Sequence, residues 1–323
     1  MRAVQVVAPG RIEFVELPKP ELRPGHVLVR IDKVSLCGSD VWMVYYDRPD
    51  KYPFPPGTSG HEVVGVVEAV DAPGAGINVG DRVLVLVDHH RGMAEYYLAP
   101  ADKVFPLPLD KPVEVMLQAQ QLGTVIYACK QLPNLVDKVV AVIGQGSAGL
   151  WFNFMARRMG ARRVIGIDLQ AHRLAVAKQY GATETIHNAD ADALEALATL
   201  TDGALADVVI EAAGEPDTFN LAYQLVKRDG DILYFGVPRA KTIEFDYETF
   251  FWKYPRVKTI CEAQREENQA STRFALDLLA RGEVDPSPIL THRFPFDQVA
   301  DAYELQRIRD EGAIKIVVDI TER

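Results

Sequence analysis

Three cysteines in 323 residues, Cys37, Cys129 and Cys261, are too few and too scattered for a disulfide framework. Their scarcity fits a reducing compartment, where a lone cysteine is available as a thiolate ligand. No run of 18 or more apolar residues occurs, so no membrane-spanning helix is expected. The opening segment Met1-Arg2-Ala3-Val4-Gln5-Val6-Val7 lacks the long apolar stretch and small-residue cleavage site of a signal peptide. These absences make the cytoplasm the expected location. Positive charge is also short: 35 Lys and Arg against 45 Asp and Glu leave a net charge of -10. An acidic surface argues against nucleic acid or an anionic membrane as partner. Internal repeats and low-complexity tracts are missing, and the Ala-rich acidic stretch 190–199 reads as an exposed helix.

What is present is ample core material. Hydrophobic residues make up 48% of the chain, and its length suits two domains of ordinary size. Residues 1 to about 110 hold short alternating runs, at 1–7, 26–34, 62–70 and 81–87. Pro9-Gly10, Pro24-Gly25, Pro73-Gly74 and Gly80-Asp81 punctuate them. That pattern predicts a β-rich, barrel-like region. One helix is expected over 113–132, ended by Pro133. Strands and helices then alternate: strands at 139–143, 163–167, 206–210 and 232–235, helices at 148–159, 171–180 and 217–227. Continuous apolar strands between helices predict an α/β, doubly wound parallel sheet covered on both faces. The tail returns to β character around a helix at 298–309 and is read as rejoining the first domain. The expected boundaries are 1–115 with 285–323, and 116–284.

The motif Gly144-Gln145-Gly146-Ser147-Ala148-Gly149 follows the buried strand 139–143 and opens a helix. Gly144 permits a tight turn, Gly146 lets backbone N–H groups approach a pyrophosphate, and Gly149 lets helix and strand pack closely. The helix N-terminus, with Ser147 and Ala148, offers N–H donors and partial positive charge to phosphates. Asp168 ends the next strand, where a carboxylate accepts both ribose hydroxyls and repels a 2′-phosphate. NAD is therefore expected over NADP, with Arg173 close enough to blur the preference. Ala213, Gly236 and Val237 follow later strands, at the carboxyl ends that line a dinucleotide crevice.

Two further motifs carry metal-ligand chemistry: Cys37-Gly38-Ser39-Asp40 and Gly60-His61-Glu62. A catalytic zinc needs three protein ligands and one open position. Cys37 offers a thiolate, His61 a neutral imidazole, and Glu62 a carboxylate. One thiolate and one carboxylate bring a Zn²⁺ site close to neutral, which suits partial burial. The metal would lower the pKa of a bound alcohol so that hydride can leave its carbinol carbon. Ser39 is placed to take the alcohol's proton. Trp42, Tyr45, Tyr46 and Arg48 are candidates for a pocket wall, and His89, His90 and Arg91 for its mouth; ordinary packing and solvation explain the same residues equally well.

Over nearly its whole length the chain resembles the medium-chain dehydrogenase/reductase superfamily, in its zinc-dependent alcohol and polyol dehydrogenase branch. The resemblance is carried by 37–40, 60–67, Val79-Gly80-Asp81-Arg82-Val83, Ala94-Glu95-Tyr96, 144–149, 207–211 and the closing Lys315-Ile316-Val317-Val318. It implies a GroES-like catalytic domain, a Rossmann cofactor domain, an alcohol or carbonyl substrate, and assembly as a homodimer or homotetramer. Three departures stand out. Relatives often carry a four-cysteine lobe for a structural zinc, but here Val87-Asp88-His89-His90-Arg91-Gly92-Met93 spans that region. One catalytic zinc and no structural zinc is therefore expected. Relatives place a third metal ligand on the helix before the cofactor domain, where this chain has Gln120, a poor zinc ligand. Three arrangements stay open: Glu62 as third ligand with Gln120 orienting water or substrate, a site that binds metal weakly or not at all, or another group such as Glu114. The relay histidine usual after the cysteine is replaced by Trp42. Two other functions stand beside hydride transfer on zinc: a zinc-free NADPH-dependent quinone or enoyl reductase, and a dinucleotide-binding protein without turnover.

Overall fold

The computed structural model describes residues 1–321, and its chain divides into two compact units. The first comprises Met1–Gln121 and the chain from Glu267 onward; the second is Leu122–Glu266. The helix Ala270–Ala280 falls with the first unit, and it packs there against the short helix Val113–Leu117. The division therefore lies at 121/122 and 266/267, where the sequence expectation set 115/116 and 284/285.

In the first unit a seven-stranded sheet is centred on His26–Ser35. This strand pairs antiparallel with Glu62–Asp71 on one side, Lys315–Asp319 on the other, and Tyr96–Pro100 near its start. Alternation along it sends Val27, Val29 and Ile31 inward, and register shifts between Leu28 and Val29 and between Ile31 and Lys33 bend the pair. Gly65 is required at this crossing, because a Cβ there would sit 2.3 Å from the Arg30 carbonyl oxygen. The inward valines join Val63, Val67, Val83 and Val85 in one β-branched core. Near the end of the chain, Leu290–Pro295 and Lys315–Asp319 lie parallel, joined through the helix Val299–Ile308. Each fully buried valine or isoleucine contributes about 1.5–3 kcal/mol of transfer free energy.

The second unit holds a six-stranded parallel sheet ordered Glu184–His187, Arg163–Asp168, Val139–Ile143, Ala206–Glu211, Val226–Tyr234, Arg256–Thr259. Val139–Ile143 is buried at every position, as a strand with helices on both faces must be. Chain order runs outward from it to one edge and then restarts on its other side. The switch point therefore lies between Val139–Ile143 and Ala206–Glu211, where open α/β sheets hold their ligands.

Several elements depart from expectation. The helix expected over 113–132 is two, Val113–Leu117 and Ala119–Cys129, divided at Gln118. The helix expected over 217–227 is Pro216–Leu225; Val226 is buried and begins a strand instead. The residues after Cys37 form a helix, Gly38–Tyr45, that the sequence reading did not assign.

Candidate active site

Cys37 and His61 are delivered by neighbouring strands of the first sheet. Cys37 caps the helix Gly38–Tyr45 just beyond Ser35, and His61 immediately precedes Glu62, the residue paired with Ser35. The Cys37 sulfur, one His61 ring nitrogen and a Glu62 carboxylate oxygen all lie within 4.8 Å of one another. Ser39 sits half-buried in the first turn of the same helix.

Asp40 is the buried hub of this cluster. Its Oδ2 accepts the Cys37 backbone N–H (2.9 Å), closing a capping box. Its Oδ1 faces Gly60 N (3.1 Å), His61 Nδ1 (3.1 Å) and His90 Nδ1 (3.3 Å). Burial would raise the Asp40 carboxyl, but the His61 and His90 rings hold it well below the usual carboxylate range. Burial would likewise lower His61, yet Asp40 and Cys37 raise it well above its ordinary value. Burial pushes the Cys37 thiol up and Glu62 adds to that. His61 and the Lys315 ammonium overcome both, so the thiol is lowered.

Glu62 is engaged on both oxygens. Lys315 Nζ donates to Oε1 at 2.7 Å and lies 2.6 Å from Oε2, and the Ser35 hydroxyl donates to Oε2. Glu62 and Lys315 are fully buried, so the carboxylate next to the cluster arrives with its own counter-ion. Gln120 is buried, but the amide that reaches the Cys37 sulfur is that of Gln121, with Nε2 3.8 Å from Sγ. Gln121 Oε1 has no hydrogen-bond partner among the described residues. An orphaned buried acceptor, a lowered thiol and an imidazole fixed through Nδ1 suit a divalent metal. Zinc fits the residues present.

The pocket candidates separate. Tyr45 packs on the first unit's core with Arg307 over its ring at 5.4 Å; burial and then Glu304 raise its hydroxyl. Tyr46 and Arg91 are exposed, and exposed Arg48 pairs with Asp50 at 3.4 Å. Trp42 is half-buried. Between Val87 and Met93 the chain makes a tight turn, Asp88–His90, and places His90 on Asp40. The sequence reading set His90 at a pocket mouth and missed this contact; a histidine at left-handed backbone carried no visible signal. In the sequence Lys315 stands only within the closing motif 315–318. A lone lysine amid Ala313, Ile314, Ile316, Val317 and Val318 was the signal for a buried counter-ion.

In the second unit the glycine turn has the geometry expected of it. Gly144 takes φ +88°, and a Cβ on Gly149 would lie 1.8 Å from the Gly144 carbonyl oxygen, so only glycine closes this helix on its strand. At Gly146 an added Cβ meets nothing nearer than Arg173 Nη1 at 3.9 Å, which leaves open ground before the helix Ser147–Arg158. Asp168 Oδ2 accepts from Gln145 N (2.6 Å) and Oδ1 from Gln170 N (2.8 Å), so the acid also pins the glycine turn. The Gln145 side chain, unnoticed in the sequence, is buried beneath the turn. It accepts from Asn153 Nδ2 (2.6 Å) and donates to the Val142 carbonyl (2.8 Å). Glu211 organises the next loop: its Oε1 accepts from Ala213 N, Gly214 N and Thr218 Oγ1, each at 2.8 Å. Gly236 lies against Gly214 so closely that a Cβ would come within 2.3 Å of its nitrogen, and Val237 backs the same loop. Gly144, Gly146, Gly149, Asp168, Arg173, Ala213, Gly236 and Val237 are thus gathered at the carboxyl end of one sheet. The open ground at Gly146 and the helix amides suit a dinucleotide.

A β-rich unit with a thiolate–imidazole cluster and a doubly wound unit with a glycine-turn crevice define a nucleotide-linked dehydrogenase. Residues 23–109 match the alcohol dehydrogenase GroES-like domain family and residues 148–280 the zinc-binding dehydrogenase family. L-threonine 3-dehydrogenase of Chromobacterium violaceum is 26% identical over 339 residues, covering 97% of each chain. D-arabitol-phosphate dehydrogenase of Enterococcus avium is 26% identical over 350 residues, covering 99% of this chain and 97% of that one. The solved alcohol dehydrogenase from Thermus sp. ATN1 superposes with TM-score 0.84 at 26% identity, covering 99% of this chain and 100% of that one. A Sinorhizobium meliloti 1021 protein solved with NADP gives TM-score 0.83 at 25% identity, covering 99% of each chain. The chain belongs to the zinc-dependent medium-chain dehydrogenase/reductase superfamily and is an NAD(P)-linked oxidoreductase.

Proposed function

We propose that this enzyme moves hydride between a secondary alcohol or polyol and NAD, with one zinc held by Cys37, His61 and Glu62. The convergence of those three donor atoms within 4.8 Å carries the reading. Bound there, zinc supplies a Lewis acid that lowers the pKa of an alcohol and stabilises negative charge developing on its oxygen. Cys37 and His61 would hold the metal, and Asp40, bonded to Nδ1, would fix the His61 tautomer and leave Nε2 available as a ligand. Lys315 offsets the charge of Glu62. Gln121, next to the Cys37 sulfur, takes the role expected of Gln120 and orients water or substrate. Ser39 takes the alcohol's proton.

The glycine turn receives the pyrophosphate through Gly146, Ser147 and Ala148, and Asp168 receives the adenosine ribose. A carboxylate at that place favours NAD, whose ribose carries hydroxyls and no phosphate. The relatives' names, L-threonine 3-dehydrogenase and D-arabitol-phosphate dehydrogenase, support a hydroxyl-bearing substrate. Three cysteines without a disulfide fit the cytoplasm, and we assign a homodimer or homotetramer from the family.

Metal analysis with NAD⁺ reduction over a panel of alcohols and polyols tests the reading. One zinc per chain is expected. Cys37→Ala should lose zinc and about 10³-fold in kcat/KM, equivalent to about 4 kcal/mol of transition-state stabilisation. Full turnover by Cys37→Ala with NADPH would instead favour a zinc-free reductase.

A further inference from the structure

We infer that His90 is a positioning residue for the metal-binding imidazole, held in that role by the short turn Asp88–His90. The inference rests on the metal reading above and adds a residue to it. Asp40 is fully buried, and both of its oxygens already act as acceptors, Oδ2 from Cys37 N–H and Oδ1 from Gly60 N–H. His61 Nδ1 at 3.1 Å and His90 Nδ1 at 3.3 Å must then each present an N–H to the same Oδ1. That arrangement commits the His61 tautomer and leaves its Nε2 for a metal. The two rings also touch, with centroids 4.2 Å apart at 55°. His90 therefore braces His61 twice, through the shared carboxylate and ring against ring.

The backbone shows that the turn is built to aim this side chain. His89 and His90 have φ of 56° and 55°, the left-handed region that few residues other than glycine enter. His89 is exposed, whereas His90 turns inward with a third of its side chain still exposed. A substitution at His90 therefore opens no core cavity. Outer partners of a metal-bound histidine are worth 10–100-fold in metal affinity. His90 acts through Asp40, so the lower end of that range is expected.

The test is zinc affinity of the full chain by competition with a chromophoric chelator, with thermal unfolding run alongside. His90→Gly suits the left-handed backbone and removes only the imidazole; it should weaken zinc about tenfold. His90→Asn also tolerates that backbone and places an amide N–H where Nδ1 was, so it should restore most of the loss. His89→Gly, in the same turn, should bind zinc like the wild type. Unchanged affinity in His90→Gly, or no recovery in His90→Asn, would overturn the inference. Equal weakening by His89→Gly would assign the effect to the loop and overturn it. Two zincs per chain, one lost in His90→Gly, would make His90 a ligand and also overturn it. Wild-type affinity in Cys37→Ser would instead bring down the metal reading itself, and this inference with it.

Discussion

Lys315 and Glu62 form a fully buried ion pair inside an otherwise apolar strand region. Such pairs are conditional in their energetics. Replacing both partners costs little, whereas removing one leaves an uncompensated charge and costs about 3–5 kcal/mol. Lys315→Met should therefore destabilise the protein by about that amount in urea unfolding, through Glu62. The double variant Glu62→Gln/Lys315→Met should recover most of the loss, because the Ser35 hydroxyl still has a neutral acceptor. A double variant as unstable as Lys315→Met alone would show that the lysine matters through packing rather than charge. At this scale the closeness of Cys37, His61 and Glu62 was legible because short motifs with flanking glycines expose them. Lys315 and His90 were not, because their partners lie 253 and 50 residues away. The lone lysine in an apolar run marks a buried charge, but nothing local names its partner.

Among the elements, strands buried on both faces were the easiest to read. Val139–Ile143 is five apolar residues with a glycine turn behind it, and the structure ends it where the sequence reading does. The edge strand Arg256–Thr259 is exposed along its whole length and carries charges, so it has no hydrophobic pattern to detect. Gly38–Tyr45 escaped notice because its cap is a cysteine backed by Asp40, not one of the usual capping side chains. The strand Ala206–Glu211 ends on a group that ties element to pH. Burial lifts the Glu211 carboxyl above its ordinary value, although Gly214 N, the Thr218 hydroxyl and Ala213 N pull the other way. An acid with a raised folded-state pKa contributes stability that is fully present below its unfolded value, about 4.3, and is lost as pH rises through the folded value. Glu211→Gln keeps the accepting oxygen and removes that loss. The stability of the variant relative to wild type should thus grow from about pH 4 upward and level off above the raised pKa. Parallel stability–pH curves for the two proteins in urea titrations would refute this.

For the whole molecule, composition set the broad terms: enough apolar residues for two cores, and an acidic net charge of -10. The split first unit was legible because Ile289–Phe294 and Ile314–Ile320 return to strand character. Its exact start was not, because the helix Ala270–Ala280 looks the same in sequence whichever core it covers. The two candidate clusters fall in different units: the Cys37 and His61 cluster in the first, and the glycine turn, Asp168 and Arg173 wholly within Leu122–Glu266. Dinucleotide binding should then survive loss of the metal. At one hundred times its Kd a ligand adds about 2.7 kcal/mol to the state that binds it. For a unit of this size that is a rise of roughly 5–10 °C in Tm. NAD⁺ should give the same rise with the zinc-loaded protein, the chelator-stripped protein and the Cys37→Ser variant, read by differential scanning calorimetry. A rise that disappears on stripping would mean that the metal organises the nucleotide crevice, and the glycine turn alone would then no longer account for cofactor binding.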